Sequence, residues 1–437
     1  MGFANNSRRV VITGIGIVCP LGSSPEEYWS ALAAGRSGVV RCEMLPSESM
    51  PLKFAGEARQ FTGAIDNFGP LDGDRKKAIR KGLKVMCRDT QMAIATAQLA
   101  LADAGLLDSP PDPTRSGVVV GSDYMLTMPA DLMSGIRKCA ETGDFEYGRW
   151  GNDGLGETEP LWMLKYLPNM PASHIAIFND LRGPNNSLTM REAAGVMSLG
   201  EAFRTIERGH ADLMIAGATG TRLLPMQAIH VMQTEQLANE ANDPASASRP
   251  FDKHRSGMVA GEGAGMLILE SADSAQARGA RTYGEVLGFG ASSVADRNLN
   301  GRCDVALINA LRAALADADI APADIGHVNA HGLSTRERDI EESRAIRNVF
   351  NGHADDLPVT AIKSFFGNLG AASGVVELAA SLLAMQHGRL PRVLNYRVPD
   401  PECRVCTVTD DATAPGETFV KLSVTPQGQA AAICIGR

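Results

Sequence analysis

Short apolar runs alternate with helix-spaced segments through both halves of this chain, and few folds accommodate that rhythm. Val10 to Val18 (Val-Val-Ile-Thr-Gly-Ile-Gly-Ile-Val) reads as a buried strand entering a glycine turn, and residues 26–34 follow with helical spacing. A longer helix is expected over 84–104, with Met92, Ala95, Leu99 and Ala102 on one face. Ser116 to Ser122 forms a second short buried strand. Residues 123–172 are the least regular part, rich in Gly and Met, and read as excursions over the surface. The second half repeats the style. Strands are expected over 264–269, 325–330 and 430–435, and helices over 305–316 and 375–385. Such alternation implies a layered α/β fold. No short repeat is visible; a duplication of two halves fits the rhythm without being established by it.

Composition excludes several classes. With 437 residues, 44% hydrophobic and 21% charged, the chain falls in the ordinary range for a globular protein. It carries 42 Lys+Arg against 50 Asp+Glu, a net charge of −8, and has no basic run of five, which argues against nucleic acid as a partner. No apolar stretch approaches the ~20 residues needed to span a bilayer. The polar start, residues 1–9, leads straight into a strand and does not read as a secretory signal, so a cytoplasmic location is expected. Eight scattered cysteines suit reduced thiols. Only Cys403 and Cys406 form a C-x-x-C pair; Pro401 and the lack of a second pair argue against zinc, and no metal site is expected.

Candidate chemistry lies at strand-to-helix junctions, where backbone N–H groups and a helix dipole face one spot. Three junctions carry polar residues. The first runs from Asn185 to Gly195 and leads into a helix with Val196, Leu199, Phe203 and Ile206 on one face. Glu192 falls at its first turn, where an acid either merely complements the dipole, worth ~0.3–1 kcal/mol, or belongs to a site. The second is Asn329-Ala330-His331-Gly332-Leu333-Ser334-Thr335, followed by Asp339 and Glu342. The third is Lys363-Ser364-Phe365-Phe366-Gly367-Asn368. A histidine at a strand end is structural or catalytic; His, Lys, Asn and Glu at three junctions favour one shared site, although spacing does not show that they converge.

These residues give the chain a family resemblance. It resembles the β-ketoacyl-acyl-carrier-protein synthases, the condensing enzymes of fatty-acid and polyketide synthesis. The resemblance rests on Val10 to Gly16, Pro20-Leu21-Gly22, Arg249-Pro250-Phe251-Asp252-Lys253, Gly261-Glu262-Gly263-Ala264-Gly265, Asn329-Ala330-His331-Gly332 with Ser334-Thr335, and Lys363-Ser364 with Gly367. It covers nearly the whole chain, in the family's order. It implies a thiolase-like fold of two similar α/β halves, 1–255 and 256–437, in a five-layered α-β-α-β-α arrangement. It also implies acyl carrier protein as partner, whose phosphopantetheine arm carries the substrate, with no cofactor bound to the chain itself. A homodimer, or a heterodimer with a Cys-containing ketosynthase, is implied as well, with a strand over 173–179 at the subunit interface.

Carried over by register, the family's nucleophilic Cys falls on Glu192, its first catalytic His on His331, its Lys on Lys363, and its acidic support on Glu342. The second His falls on Asn368. Of two Thr that hold the pantetheine arm, one is Leu333 and the other remains as Thr335. The Phe-Gly-Phe-Gly-Gly gate reads Thr425-Pro426-Gln427-Gly428-Gln429. In the gate Pro426 fixes φ where the family has Gly, which implies a stiffer loop.

Condensation needs a thiolate to hold an acyl chain as a thioester, and a carboxylate is a weak nucleophile toward one. Decarboxylation of malonyl-acyl carrier protein needs two donors to an enolate oxygen, which His331 Nε2–H and the Asn368 amide could provide. A protonated Glu192 would then imitate a thioester carbonyl; burial raises its pKa and the helix N-terminus lowers it. The family's chain-length-factor subunits, non-catalytic partners of active synthases, offer a competing resemblance through Ala193-Ala194-Gly195, although they generally lack the histidine present here as His331. Thioester hydrolysis, or acyl transfer with Glu192 as nucleophile in the manner of CoA transferases, completes the readings.

Overall fold

The computed structural model describes residues 8–437 other than 47–49, 51, 108–110 and 239–242. The first half of the chain contains β1 (Val10–Val18), α1 (Pro25–Ala33), β2 (Val39–Arg41), β3 (Phe54–Gly56), α2 (Gly73–Gly82) and α3 (Arg88–Asp103). It continues through β4 (Ser116–Ser122), α4 (Pro129–Cys139), α5 (Met170–Asn179), β5 (Asn185–Thr189), α6 (Ala194–Glu207), β6 (Leu213–Thr221), α7 (Pro225–Thr234) and β7 (Ala260–Ser271). After α8 (Ala272–Ala277) come β8 (Gly284–Ser293), α9 (Cys303–Ala318), β9 (His327–Asn329), α10 (Arg336–Phe350), β10 (Pro358–Thr360) and α11 (Lys363–Phe366). The chain closes with α12 (Ser373–His387), β11 (Cys406–Thr407), β12 (Thr418–Val424) and β13 (Gln429–Gly436).

Strand pairing exposes a duplication that the sequence rhythm only permitted. In the first half β1 pairs antiparallel with β7 and β7 with β6, while β6, β4 and β5 are parallel neighbours. In the second half β8 pairs antiparallel with β13 and β13 with β12, while β12, β9 and β10 are parallel. The two orders are the same, strand for strand. Read this way, the halves divide between Ser271 and Gly284, because β7 completes the first pattern, whereas a division at 255/256 assigns the whole of β7 to the second half.

Side-chain alternation along the strands makes the layers. On β6, Met214, Ala216 and Ala218 face one core and Leu213 and Ile215 another; on β13, Ala431, Ile433 and Ile435 separate in the same way from Ala430, Ala432 and Cys434. β1 and β8 pair antiparallel and join the two halves of the sheet; the shared core lies between these halves and is filled by α6 and α12, while α3 and α5 cover the outer face of one half and α9 and α10 that of the other. This is the five-layered arrangement that the resemblance implied. Each fully buried Leu, Ile or Phe in these cores contributes about 1.5–3 kcal/mol relative to exposure. The close seat of α3 on β1 depends on two glycines: a Cβ on Gly16 would meet Thr96 O at 1.9 Å, and one on Gly14 would meet Ala100 O at 2.5 Å.

Most expected elements are present with shifted ends. The helix expected over 84–104 begins only at Arg88, after a 3₁₀ turn at Leu83–Val85. One expectation is overturned. Residues 173–179 lie in helix α5, and the strand of this region is β5, Asn185–Thr189, at the outer edge of the sheet. Its sequence, Asn-Asn-Ser-Leu-Thr, is polar because an edge strand faces out, whereas the apolar run before it packs α5 on α3. No helix among the described residues is long and apolar enough to cross a membrane.

Candidate active site

Open α/β sheets leave ligand space at the C-terminal ends of their parallel strands. Here β4, β5 and β6 each deliver a charged residue to that end. Asp123 follows β4, Arg191 and Glu192 follow β5, and Arg222 follows β6. From β5 the chain turns sharply through Met190 and a 3₁₀ turn at Arg191–Ala193 into α6. Arg191 occupies the left-handed region at φ 47°, a strained position for a non-glycine residue that costs of order 1–3 kcal/mol. That turn swings Glu192 inward, where it is 1% exposed.

Glu192 does not stand alone. Arg222 Nη2 donates to Glu192 Oε1 at 2.6 Å and to Asp123 Oδ2 at 3.1 Å. Arg191 Nε lies 3.4 Å from Glu192 Oε2, and its Nη2 donates to Glu235 Oε1 at 2.5 Å. Burial pushes the Glu192 carboxyl up, but the Arg222 and Arg191 charges outweigh it and hold the group at about 2. The expected contest was burial against the helix N-terminus; two guanidiniums decide it, and the group is an anion. A neutral acyl mimic is therefore not what Glu192 presents. Burial raises the Asp123 pKa, opposed by Arg222. Arg222 itself is 1% exposed, and its Nε and Nη1 have no hydrogen-bond partner among the described residues.

Asn368 joins the same cluster. Its Oδ1 accepts from Gly370 N and Ser373 Oγ, each at 3.1 Å, which turns the amide nitrogen toward Glu192. Nδ2 donates to Glu192 Oε1 at 3.1 Å and contacts Met258 Sδ at 3.4 Å. Both amide protons are thus engaged, and neither points to an open oxyanion position.

The second half supplies a separate, closed network. His331 follows β9 and Lys363 opens α11 just after β10. Lys363 Nζ donates to His331 O at 2.8 Å, meets His331 Nδ1 at 3.3 Å, and forms an ion pair with Glu377 Oε1 at 2.7 Å. With an ammonium facing Nδ1, the ring carries its proton on Nε2. Burial, with the Lys363 charge next, drives the His331 pKa well below its ordinary value, so the ring is neutral. Arg222 is close enough to add to that effect, which brings His331 to the neighbourhood of Glu192 and Asn368. Glu342 accepts from the backbone N–H groups of His331 and Gly332 at 2.6 and 2.8 Å and fixes the loop. Burial nevertheless raises the Glu342 pKa.

Of the residues singled out from the sequence, the structure puts Glu192 and Asn368 in one cluster and His331, Lys363 and Glu342 in the other; Arg222, Asp123, Glu235, Glu377 and Lys421, which sequence reasoning did not single out, join them. Lys421 Nζ donates to Glu377 Oε2 at 2.5 Å and to Ala330 O at 2.9 Å, deep beneath the histidine loop. Arg191, beside Glu192, was the one visible signal of an ionic partner. Thr335 lies at the surface end of the site. With Leu333, Pro426 and Glu235 it lines a cavity of about 390 Å³, and its buried Oγ1 has no partner among the described residues. The gate segment is a tight hairpin turn between β12 and β13: Gly428 N donates to Thr425 O at 3.0 Å, and Thr425 N to Gln429 O at 2.8 Å. Pro426 sits where such a turn favours proline.

Burial pushes the Cys19, Cys87, Cys403 and Cys434 thiols up to about 12 and Cys303 to about 11, away from the thiolate form. Among the described residues no group of three or more His, Cys, Asp or Glu is placed to hold a metal ion.

Comparison with known proteins places this chain in a family. The models of the β-ketoacyl synthase N-terminal and C-terminal domains match residues 7–275 and 283–397. A 3-oxoacyl-[acyl-carrier-protein] synthase 2 of Coxiella burnetii is 34% identical over 411 residues, covering 93% of this chain and 92% of that one. Two solved structures each align with 98% of this chain and 99% of their own. One is a type II polyketide ketosynthase in complex with its acyl-carrier protein (TM-score 0.81, 27% identity), the other the ishigamide ketosynthase/chain length factor (TM-score 0.82, 28% identity). With two domain models spanning most of its length and a relative of this closeness, the chain belongs to the β-ketoacyl synthase family of fatty-acid and polyketide biosynthesis.

Proposed function

We propose that this chain works beside acyl carrier protein as a non-condensing subunit, paired with a Cys-containing ketosynthase. One observation carries the reading. At the position that register assigns to the nucleophilic Cys stands a carboxylate neutralised by Arg222 at 2.6 Å, and it occupies the Asn368 amide. An ion-paired carboxylate cannot hold an acyl chain as a thioester. An engaged amide cannot serve an enolate oxygen, and both guanidiniums that could receive a malonyl carboxylate are already paired with Glu192. The polar outer edge of β5 offers a strand for subunit pairing, and Thr335 a hydroxyl for the pantetheine arm. A cytoplasmic location belongs to the same reading.

A second reading, slow decarboxylation of malonyl-acyl carrier protein, is favoured by His331, which keeps a neutral ring with Nε2–H available in front of Lys363. Labelled CO2 release and intact-protein mass spectrometry separate the two. The partner-subunit reading expects no CO2 above the blank, no acyl adduct, and copurification of a Cys-containing homologue on co-expression. CO2 release that falls ~10²–10³-fold in His331→Ala would establish the decarboxylase instead.

A further inference from the structure

Two surface cavities converge on one residue. The larger, about 390 Å³, is lined by Thr335, Leu333, Pro426 and Glu235. The smaller, about 280 Å³, is lined by Phe54, Met232, Met258 and again Glu235. The smaller one is floored by Met258, whose Sδ touches the Asn368 amide. Behind Glu235 stands Arg191, at 2.5 Å, and behind Arg191 stands Glu192. Side-chain exposure is 8% for Glu235 and 13% for Arg191 but only 2% for Glu192 and 1% for Arg222, so the pair stands at the boundary between the cavities and the buried cluster. Arg191 is held across the path by its own backbone, fixed at φ 47° in the turn between β5 and α6.

Resting on the reading that Glu192 occupies the nucleophile's position, we propose that the Arg191–Glu235 ion pair is a fixed stopper between the surface cavities and the buried site. The stopper, as well as the missing thiol, keeps a thioester from reaching His331 and Lys363. The pantetheine arm then fills the Thr335 cavity and halts at Glu235. Arg191 and Glu235 are positioning residues in this account, setting which substrates pass rather than touching reacting atoms. Arg191 pairs with Glu235 on one side and Glu192 on the other, so the barrier is ionic as well as steric: parting Arg191 from Glu235 separates two largely buried charges.

Glu192→Cys supplies a thiol behind the stopper and makes the barrier measurable. Iodoacetamide reports access. A hexanoyl thioester of pantetheine reports productive access: the thiolate attacks the carbonyl, a new carbon–sulfur bond forms, and pantetheine leaves as a thiol after taking a proton. Because Cys42 and Cys406 are also partly exposed, labelling is read on the peptide that carries position 192. Glu192→Cys alone is expected to react slowly with both probes. Adding Arg191→Ala and Glu235→Ala together, so that neither charge is left unpaired, is expected to raise alkylation at least tenfold and to let the hexanoyl adduct appear. Should that triple variant fail to fold, Glu192→Cys/Arg191→Gln, which can still donate to Glu235, is expected to react at an intermediate rate. Equal rates in the single and multiple variants, fast or slow, would overturn the stopper. The labelling contrast needs no second subunit. If it holds while no Cys-containing homologue pairs with the chain, the functional reading fails and the stopper stands; the reverse pattern is as clear.

Discussion

At the ends of β4, β5 and β6 stand Asp123, Glu192 and Arg222; at the ends of β9 and β10 stand His331 and, opening α11, Lys363. The strand order is identical and burial is equally deep, yet the charges are satisfied in different ways. In the second half Glu377 has two ammoniums, Glu342 has two backbone donors, and Lys363 donates to His331 O, meets His331 Nδ1 and is ion-paired with Glu377. In the first half one guanidinium nitrogen serves two carboxylates, while Nε and Nη1 of Arg222 go without partners. The second half therefore keeps a poised, neutral histidine, and the first half spends its strand ends on holding one another. A duplicated scaffold can carry reaction chemistry in one copy and a charge lock in the other.

The comparison breaks most readily at Arg222. Arg222→Met leaves Glu192 and Asp123 facing each other with Arg191, 3.4 Å from Glu192, as their remaining cation, and a loss of ~3–5 kcal/mol is expected in urea unfolding. Adding Glu192→Gln should return part of that loss. A cost below ~1 kcal/mol for the single variant would show the lock to be idle. Acid titration is expected to show a somewhat smaller effect. The folded Glu192 carboxyl is held at about 2 against 4.5 when free, so its contribution is complete above pH 4.5 and is lost as pH falls toward 2. That contribution is about 3 kcal/mol, and the stability of Glu192→Gln should depend correspondingly less on pH over that window.

The second half responds at the other end of the pH scale. Burial lowers the Lys421 pKa from 10.5 to about 8, despite its pairing with Glu377. The unfolded chain then binds more protons between pH 8 and 10.5, so this group makes stability rise across that window, by about 3 kcal/mol at most. Lys421→Met should abolish the rise, as read from unfolding midpoints at pH 8 and 10. Pro426→Gly should have the smallest effect. It loosens the turn chiefly by giving the unfolded chain more freedom, at an expected ~0.4–1 kcal/mol, measurable in denaturant.

Much of this was legible in the sequence, for definite reasons. His331, Lys363 and Asn368 lie in short glycine-flanked segments after apolar runs, so local pattern alone marks them as junction residues. Arg222 and Asp123 meet Glu192 from 30 and 69 positions away along the chain, through parallel pairing that no local period encodes. The error over 173–179 came from carrying the family's interface strand onto a segment that is helix α5. The strand itself, Asn185–Thr189, is disguised by its exposed edge. The duplication stayed hidden because it resides in pairing order, and equivalent strands such as β5 and β10 share no residue pattern.

The layer formed by α6 and α12 belongs to neither half. Each sheet covers one side of it, so separating the two repeats would strip a face from Val196, Leu199, Phe203, Val375, Leu378 and Leu382 at once. Topology divides this chain into two, but melting should not. The repeats are expected to lose structure in one cooperative transition, and a fragment ending between Ser271 and Gly284 should gain helix and protection only when its complement is added.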